Sequence, residues 1–409
     1  MNFTEAKQLE IRFILRRYGV WLLVLSVLFL YAAFLIARAQ DFMRNGDFFE
    51  YWLAGKFVRE GKSMYDPAVW EPPHALYGNF YDKNPVFPYP PVLALFFVPL
   101  GIGSLPFASV GWVFISQSLI VVAFAILASS WRTQSSLKPY WLPLLAGIFL
   151  FRPVMVTLRN GQLGALFLVL LALCAYFWER KKGFWGGVCL AFIALRPNLG
   201  VPILGLVVLW LLWKRQWHAI AGIGVAAVVM LGVSFLIEPN WLQGMLSVGN
   251  EKIFRTFGYH PVVWGLTFMN CGLEPVCGWT WGGVAALLAV GGTVWGLWRN
   301  RNVDAPALSF SLLLSLALWL APYLWAYDQA LLVLPILSIA GLGIARQWPY
   351  LLTATITILF SAFALILLAI SIRVGNDAFG SLLSAGTLFV LAFSKWPTSS
   401  FALKTISSK

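Results

Sequence analysis

The chain has 409 residues, of which 60% are apolar and only 11% are charged. Soluble domains average about 25% charged residues, so this composition and the mean hydropathy of +0.78 exclude an ordinary soluble protein. A net charge of +13 is typical of nucleic-acid-binding proteins and also of the cytoplasmic loops of membrane proteins, so the position of the charges must decide between these classes.

Apolar stretches follow one another along the whole chain. Thirteen are recognised, at residues 18–37, 89–102, 107–130, 139–157, 161–178, 183–197, 198–213, 217–236, 279–298, 304–321, 328–345, 348–372 and 378–394. Basic residues without a cleavage site precede the first stretch, which predicts a retained anchor whose start is cytoplasmic. The basic C-terminal tail is predicted to be cytoplasmic too, so the number of crossings must be even.

The stretch that does not cross is predicted to be 89–102. Its sequence, YPPVLALFFVPLGI, has only 14 residues and prolines near both ends, which suits a segment lying on the membrane better than a span. The predicted fold is therefore an all-α polytopic membrane protein with about 12 transmembrane helices in one domain, residues 1–409. Residues 38–106 form the first extracytoplasmic loop, with juxtamembrane helices, and residues 237–278 form the second large one.

The charges separate cleanly on this topology. The cytoplasmic segments hold 17 Lys and Arg against 4 Asp and Glu, whereas the outer side holds 12 of each sign. The whole excess is thus an orientation signal for a multi-pass protein of the plasma (inner) membrane, and nucleic acid is excluded as a partner.

Motifs for common cofactors are missing. The sequence contains no P-loop, no Rossmann glycine pattern and no HExxH, and His74, His218 and His260 are dispersed. We therefore expect no cofactor and no metal. Cys271 and Cys277 share an outer loop, where a disulfide between them is one of two open alternatives.

Two acids open the first outer loop, in NGDFFEYWLAGKFVREGKSMYDP. Asp47 and Glu50 are three residues apart and share a face of a predicted helix that runs from Asp47 as N-cap to a stop at Gly61. Three aromatic residues of this helix are available for the lipid interface: Tyr51, Trp52 and Phe57. The alternative is that Asp47 only caps a surface helix.

Further polar residues stand at outer helix ends. Arg159 and Gln162 in LRNGQLGALF are predicted at a helix N-terminus, where they favour an anion, although Arg159 could equally reach lipid headgroups. Arg196 in ALRPNLG needs an anionic partner, either a lipid phosphate or an acid such as Asp328, which with Tyr327 opens a later span. Acids and arginines that converge on the outer face indicate a site for a phosphorylated lipid substrate.

These segments resemble the GT-C superfamily of integral-membrane glycosyltransferases. The resemblance rests on DFFEYWLAGKFVREGKSMYDP, YPPVLALFFVPLGIGSLP, NGQLGALFLVLLALCAYFWERKKGFWGGVCLAFIALRP and APYLWAYDQALLVLP, and covers about residues 15–345. The group most similar is that of the polyprenol-phosphate-mannose-dependent α-mannosyltransferases, which includes the phosphatidylinositol-mannoside enzymes.

The resemblance implies transfer of a sugar, mannose by this similarity, from a polyprenyl-phosphate donor to a hydroxyl of a lipid or glycan acceptor, with inversion. It implies that Asp47 is the catalytic base, that Arg196 holds the donor phosphate and that Arg159 and Gln162 line the same pocket. Many relatives carry paired histidines where this chain has Tyr327 and Asp328.

Other residues and functions stay open at this stage. Glu50 is a supporting candidate, and His260 is a candidate for the acceptor side or for a structural role. A transporter or flippase of lipid-linked sugars is the alternative function, and a non-catalytic membrane scaffold is a third.

Overall fold

The computed structural model describes residue 26 and residues 29–79, 87–130, 141–246, 260–345 and 350–396. Within these ranges all regular secondary structure is helical and there is no strand, which confirms the predicted all-α class. The helices bear the labels α1 (Ala39–Arg44), α2 (Asp47–Glu60), α3 (Pro67–Leu76), α4 (Val92–Leu95), α5 (Val98–Gly101), α6 (Leu105–Ser130), α7 (Trp141–Leu150), α8 (Arg152–Asn160), α9 (Gly164–Glu179), α10 (Gly183–Ala191), α11 (Pro197–Trp213), α12 (Trp217–Ile237), α13 (Val263–Asn270), α14 (Pro275–Arg299), α15 (Pro306–Leu320), α16 (Val333–Ala345), α17 (Tyr350–Val374) and α18 (Ser381–Phe393). Short 3₁₀ helices cover Phe192–Leu195, Ala326–Leu332 and Ala378–Gly380.

Several of these helices are suited to a membrane. Four are long and apolar enough to cross one, or five if the bent pair α7–α8 counts as a single span. The four are Leu105–Ser129, Trp217–Ile237, Pro275–Arg299 and Ala326–Gly343. Six further apolar helices in the described ranges have 10–17 residues, so the predicted count of twelve spans is not confirmed.

The bend between α7 and α8 measures 61° and lies inside the predicted stretch 139–157. Pro153 explains it, because proline in a continued helix would clash with the carbonyl of the residue four positions earlier. Phe151 adopts an extended conformation between the two helices. Arg152 then donates a hydrogen bond of 3.0 Å to Asp377, which fixes α8 to the chain just before α18.

The predicted helix after residue 46 is present as α2, with one correction at its start. Its N-cap is the extended Gly46, and no side chain caps it, so Asp47 is the first helical residue and its carboxylate is available for another contact. Gly61 ends the helix, as predicted, in the left-handed region that glycine adopts without steric cost (φ +63°).

The aromatic residues of α2 also differ from expectation. Tyr51, Trp52 and Phe57 are at most 2% exposed, so they do not face lipid. The stretch 89–102 packs over them as α4 and α5, and the rings of Tyr51 and Phe97 stack at 5.1 Å. Each of these two helices has only four residues, fewer than a membrane-spanning helix requires, and the position of the stretch on the membrane stays a prediction.

The core lies around α9, α15 and α16. Twelve of the fifteen residues of α15 are buried, whereas α12 and α14 expose large apolar side chains such as Leu236 and Leu287 on the outside of the bundle. Cys271 and Cys277 form a disulfide between α13 and α14, which settles the alternative left open by the sequence. The helices α9 and α11 both begin at the candidate site, where Gln162 precedes one and Arg196 the other.

Candidate active site

A buried ion pair forms the centre of the site. Arg196 Nη1 lies 2.9 Å from Asp328 Oδ1, and its Nη2 donates to Oδ2 at 3.4 Å. The two side chains are 4% and 1% exposed. This pairing is one of the two alternatives that the sequence offered for Arg196, and the fork geometry of the guanidinium suits a carboxylate.

Local structure places both partners. Arg196 stands between a 3₁₀ helix and α11 in an extended conformation, as expected of a residue that precedes proline. Asp328 belongs to the 3₁₀ helix Ala326–Leu332, where its Oδ2 accepts a hydrogen bond of 2.9 Å from the Trp325 amide. The carboxylate is therefore held from two sides.

Tyr327 joins this pair to Asp47. Its hydroxyl donates to Asp47 Oδ2 at 3.3 Å, and its ring lies under the Arg196 guanidinium with 5.1 Å to the centroid. The main chain of Tyr327 is fixed as well, because its carbonyl accepts a hydrogen bond of 3.0 Å from the Thr157 hydroxyl. Four of the predicted residues, Asp47, Arg196, Tyr327 and Asp328, thus meet in one place.

Gln162 extends the network to two tyrosines that the sequence analysis did not assign to the site. Its Oε1 accepts from Arg196 Nη1 at 3.4 Å and from the Tyr51 hydroxyl at 3.5 Å. The hydroxyls of Tyr51 and Tyr89 lie 3.2 Å apart. Burial raises the pKa of both tyrosines above the usual value, so both hydroxyls keep their protons. The only sequence signal for Tyr89 is its place in the proline-rich YPP motif.

The turn that carries Gln162 corrects the predicted local structure. Arg159 lies in the last turn of α8 and Gly161 (φ +65°) ends that helix, so the segment is a helix C-terminus followed by the start of α9. Arg159 is exposed and lies 5.0 Å from the centre of the Phe42 ring. It does not join the contacts of Arg196 and Gln162 that are described above.

Two other predicted residues have indirect positions. Glu50 is half-buried on α2, one turn after Asp47, and its charge contributes to the raised pKa of Tyr89. His260 is 1% exposed and donates from Nδ1 to the Leu324 carbonyl at 2.8 Å. Burial lowers the pKa of His260, so this ring is a neutral support for the chain that leads to Tyr327 and Asp328.

Two donors in the network have no acceptor among the residues that the structure describes. These are Arg196 Nε and Gln162 Nε2, both buried. A buried donor without a partner costs free energy, so both atoms are suited to an oxygen of a bound substrate.

A second group of cations surrounds a cavity of about 360 Å³ beside α2. Arg44, Lys56 and Arg59 line it, and Lys56 donates to the Tyr77 hydroxyl at 3.2 Å while lying 5.5 Å from the Trp52 ring. The spacing of Trp52, Lys56 and Arg59 along one helix face could have revealed this group in the sequence. Within the described ranges, no three His, Cys, Asp or Glu residues are grouped as metal ligands would be, and the expectation of a metal-free site stays a prediction.

Comparison with known proteins identifies the family of the chain. The model of glycosyltransferase family 87 matches residues 87–322, more than half of the chain, and the protein belongs to that family. The name of this family describes glycosyltransferases, which are enzymes that transfer a sugar. The chain is also similar in sequence to an α-(1→3)-arabinofuranosyltransferase of Corynebacterium glutamicum, with 28% identity over 185 residues.

The comparisons have clear limits of coverage. The similarity to the arabinofuranosyltransferase includes 44% of this chain and 40% of that relative's length. No solved structure matches the chain. The range matched by the family contains Gln162 and Arg196, whereas Asp47, Tyr327 and Asp328 lie outside it.

Proposed function

We propose that the protein moves a sugar from a polyprenyl-phosphate donor to a hydroxyl of a lipid or glycan acceptor at the extracytoplasmic face. Asp47 is the general base and the anomeric carbon is inverted. The observation that carries the proposal is the contact of 3.3 Å between Asp47 and Tyr327 within the Arg196–Asp328 network. Family membership supports transfer of a sugar, and no described contact favours the transporter alternative.

The role of Asp47 follows from its position. The residue is half-buried at the start of α2, and one carboxylate oxygen is held by the Tyr327 hydroxyl. A fixed carboxylate can take the acceptor proton as the acceptor oxygen attacks the anomeric carbon in line. Attack from the side opposite the phosphate inverts the configuration.

The donor phosphate requires hydrogen-bond donors as it leaves. Arg196 Nε and Gln162 Nε2 are free for this purpose within the described structure, and they support Arg196 as the phosphate-binding residue. The cavity lined by Arg44, Lys56 and Arg59 is the second place with suitable charge.

Kinetics of two variants separate these places. Arg196→Lys keeps a cation beside Asp328 but removes Nε, so we expect a higher KM for the donor with a largely intact fold. The double variant Lys56→Gln/Arg59→Gln should leave that KM unchanged. The reverse result would assign the phosphate to the cavity beside α2.

The base is tested with purified Asp47→Asn protein and a polyprenyl-phosphate sugar. We expect release of free polyprenyl phosphate to fall at least about 100-fold, in the range of a lost general base, while the melting temperature stays the same. Asp41→Asn is the matched control, because Asp41 is an exposed neighbour paired with Arg38 at 3.3 Å. Full transfer by Asp47→Asn would refute the assignment.

Sugar identity is tested on the same protein. Mannose is proposed from the sequence resemblance, and the name of the corynebacterial relative makes arabinofuranose the rival. Parallel incubation with polyprenyl-phosphate mannose and polyprenyl-phosphate arabinose decides between them, since only the true donor gives rapid release of the lipid phosphate.

The topology belongs to the same proposal: twelve spans, both termini in the cytoplasm, and residues 38–106 and 237–278 outside. Cysteines introduced as Asp66→Cys and Lys182→Cys test it. In intact cells a membrane-impermeant maleimide should label the first and not the second.

A further inference from the structure

A second polar cavity lies at the far ends of the helices that begin at the candidate active site. Gln162 precedes α9 and Trp178 stands near its end, while Arg196 precedes α11 and Lys214 follows it. Helices of this length span roughly 25 Å at 1.5 Å per residue. The second cavity is therefore separated from Asp47 by most of the thickness of a bilayer.

We call it the indole cavity, defined by Trp178, Lys181, Trp210, Lys214 and Arg301. Its volume is about 270 Å³. The two indole rings pack against each other at 5.7 Å. Trp178 and Trp210 are 6% and 8% exposed, and neither Nε1 has a hydrogen-bond partner in the described ranges. Both Nε1 atoms are enclosed by protein, and that of Trp178 faces Gly186 of α10, so the two rings form an apolar wall of the cavity.

The charged residues around the cavity indicate that its ligand is an anion. Lys181, Lys214 and Arg301 contribute three positive charges, and the one acid of the lining, Asp304, is paired with Lys181. The described hydrogen bond of Lys214 goes to a main-chain oxygen, the Arg301 carbonyl, at 3.5 Å. Donor-only side chains with an excess of positive charge suit an anion that carries several oxygens.

Backbone conformation adds an independent observation. Lys181 has φ +59°, a left-handed conformation at the end of α9 where glycine is the favoured residue. An L-residue is strained in that conformation. The chain nevertheless places a long cation at this position, which directs an ammonium group to the edge of the cavity.

The surroundings indicate where the anion comes from. Four tryptophans at this end of the bundle are more than half exposed: Trp185, Trp213, Trp217 and Trp298. Exposed tryptophan is enriched where a membrane protein meets the headgroups. The indole cavity thus lies at headgroup depth, which favours a lipid over a soluble anion.

We propose that the indole cavity binds the phosphate of an anionic phospholipid from the leaflet opposite the candidate active site. The cations donate to the phosphate oxygens, the indole rings form the apolar wall beside them, and the acyl chains extend along the bundle.

The test uses the full chain, first incorporated into vesicles of phosphatidylglycerol and phosphatidylcholine and then extracted into neutral detergent. Native mass spectrometry counts each lipid that remains bound. We expect preferential retention of phosphatidylglycerol by the unmodified protein, and loss of about fivefold in apparent affinity for each cation removed in Lys214→Gln and in Lys214→Gln/Arg301→Gln. Trp178→Phe/Trp210→Phe, which keeps an apolar wall and every cation, should leave the preference for phosphatidylglycerol in place.

Matched controls decide the outcome. Lys182→Gln removes a cation of the same turn that does not line the cavity, and retention should not change. Equal retention of both lipids, or equal losses for Lys182→Gln and Lys214→Gln, would overturn the proposal. Displacement of the lipid by millimolar inorganic phosphate would overturn the lipid as the source. Asp47→Asn should retain phosphatidylglycerol normally, so this result is independent of the proposed sugar transfer.

Discussion

The two ends of the helix bundle hold the same kind of ion pair in opposite surroundings. At one end Arg196 and Asp328 are 4% and 1% exposed, and further hydrogen bonds fix both side chains. At the other end Lys181 and Asp304 are 69% and 67% exposed. The helix α9 passes from the turn of Gln162, next to the first pair, to the turn of Lys181 in the second.

The difference shows what each pair contributes. The buried charges have lost their water, so each requires the other. The pair also sets the position of the Tyr327 ring under the Arg196 guanidinium. The exposed charges keep most of their hydration, so their pairing contributes little to folding. Lys181 can therefore exchange Asp304 for another anion. The buried end is therefore suited to holding catalytic groups in place, and the exposed end to binding and releasing a ligand.

The largest effect is expected when the buried pair is broken. Arg196→Met leaves Asp328 buried without its cation and should lower the free energy of unfolding by about 3–5 kcal/mol. Thermal or chemical unfolding in detergent measures it. The double variant Arg196→Met/Asp328→Leu should recover most of this stability and still lack transfer activity. If the double variant were as unstable as the single one, the pair would not be the cause.

The second prediction extends the comparison from charges to the backbone. Gly161 and Gly61 have nearly the same dihedral, φ +65° and +63°, but a Cβ at Gly161 would lie 2.2 Å from Met43 Sδ, whereas nothing lies within 4 Å at Gly61. We expect Gly161→Ala to cost about 2–4 kcal/mol of unfolding free energy. Gly61→Ala should cost about 1 kcal/mol. Equal melting temperatures for both variants would contradict this packing.

The third prediction concerns the link between the pair and Asp47, the proposed base. Tyr327→Phe keeps the ring under Arg196 but removes the hydrogen bond to Asp47. A bond to a charged group contributes about 1.5–3 kcal/mol, so kcat should fall about 10- to 100-fold with little change in KM for either substrate. The steady-state kinetics of sugar transfer measure this. A fall confined to KM would instead assign Tyr327 to substrate binding.

The smallest effect is expected at the exposed pair. Asp304→Asn should change the unfolding free energy by less than about 1 kcal/mol, because both partners stay hydrated. It also leaves Lys181 without its competing acid, so retention of an anionic lipid in the indole cavity should rise. A large loss of stability would remove the contrast between the two ends.

Sequence patterns identified the parts of the site better than their connections. Asp47, the helix it opens and the pairing of Arg196 with an acid follow from local spacing and from the cost of an isolated buried charge. The contact between Asp47 and Tyr327 joins residues 280 positions apart, and that between Tyr51 and Gln162 joins residues 111 positions apart. Such contacts depend on how helices pack, which no local pattern specifies. For the same reason, the sequence did not predict that the aromatic residues of α2 are buried.

The segment before α16 is held partly through its main chain. Side chains from elsewhere donate to its carbonyls: Asn198 to Tyr323, His260 to Leu324 and Thr157 to Tyr327. In addition, Gln329 donates to the carbonyls of Pro261 and Gly380 at 3.4 Å and 2.7 Å.

Every residue type has a carbonyl, so the contacts to Tyr323, Leu324 and Tyr327 do not depend on which side chain stands at 327. The side chain at 327 can therefore change without loss of these contacts, whereas Asp328 is also required as the buried partner of Arg196. Evolution can in this way alter the chemistry beside Asp47 through one position, and a library randomised at 327 should contain more folded members than one randomised at 328.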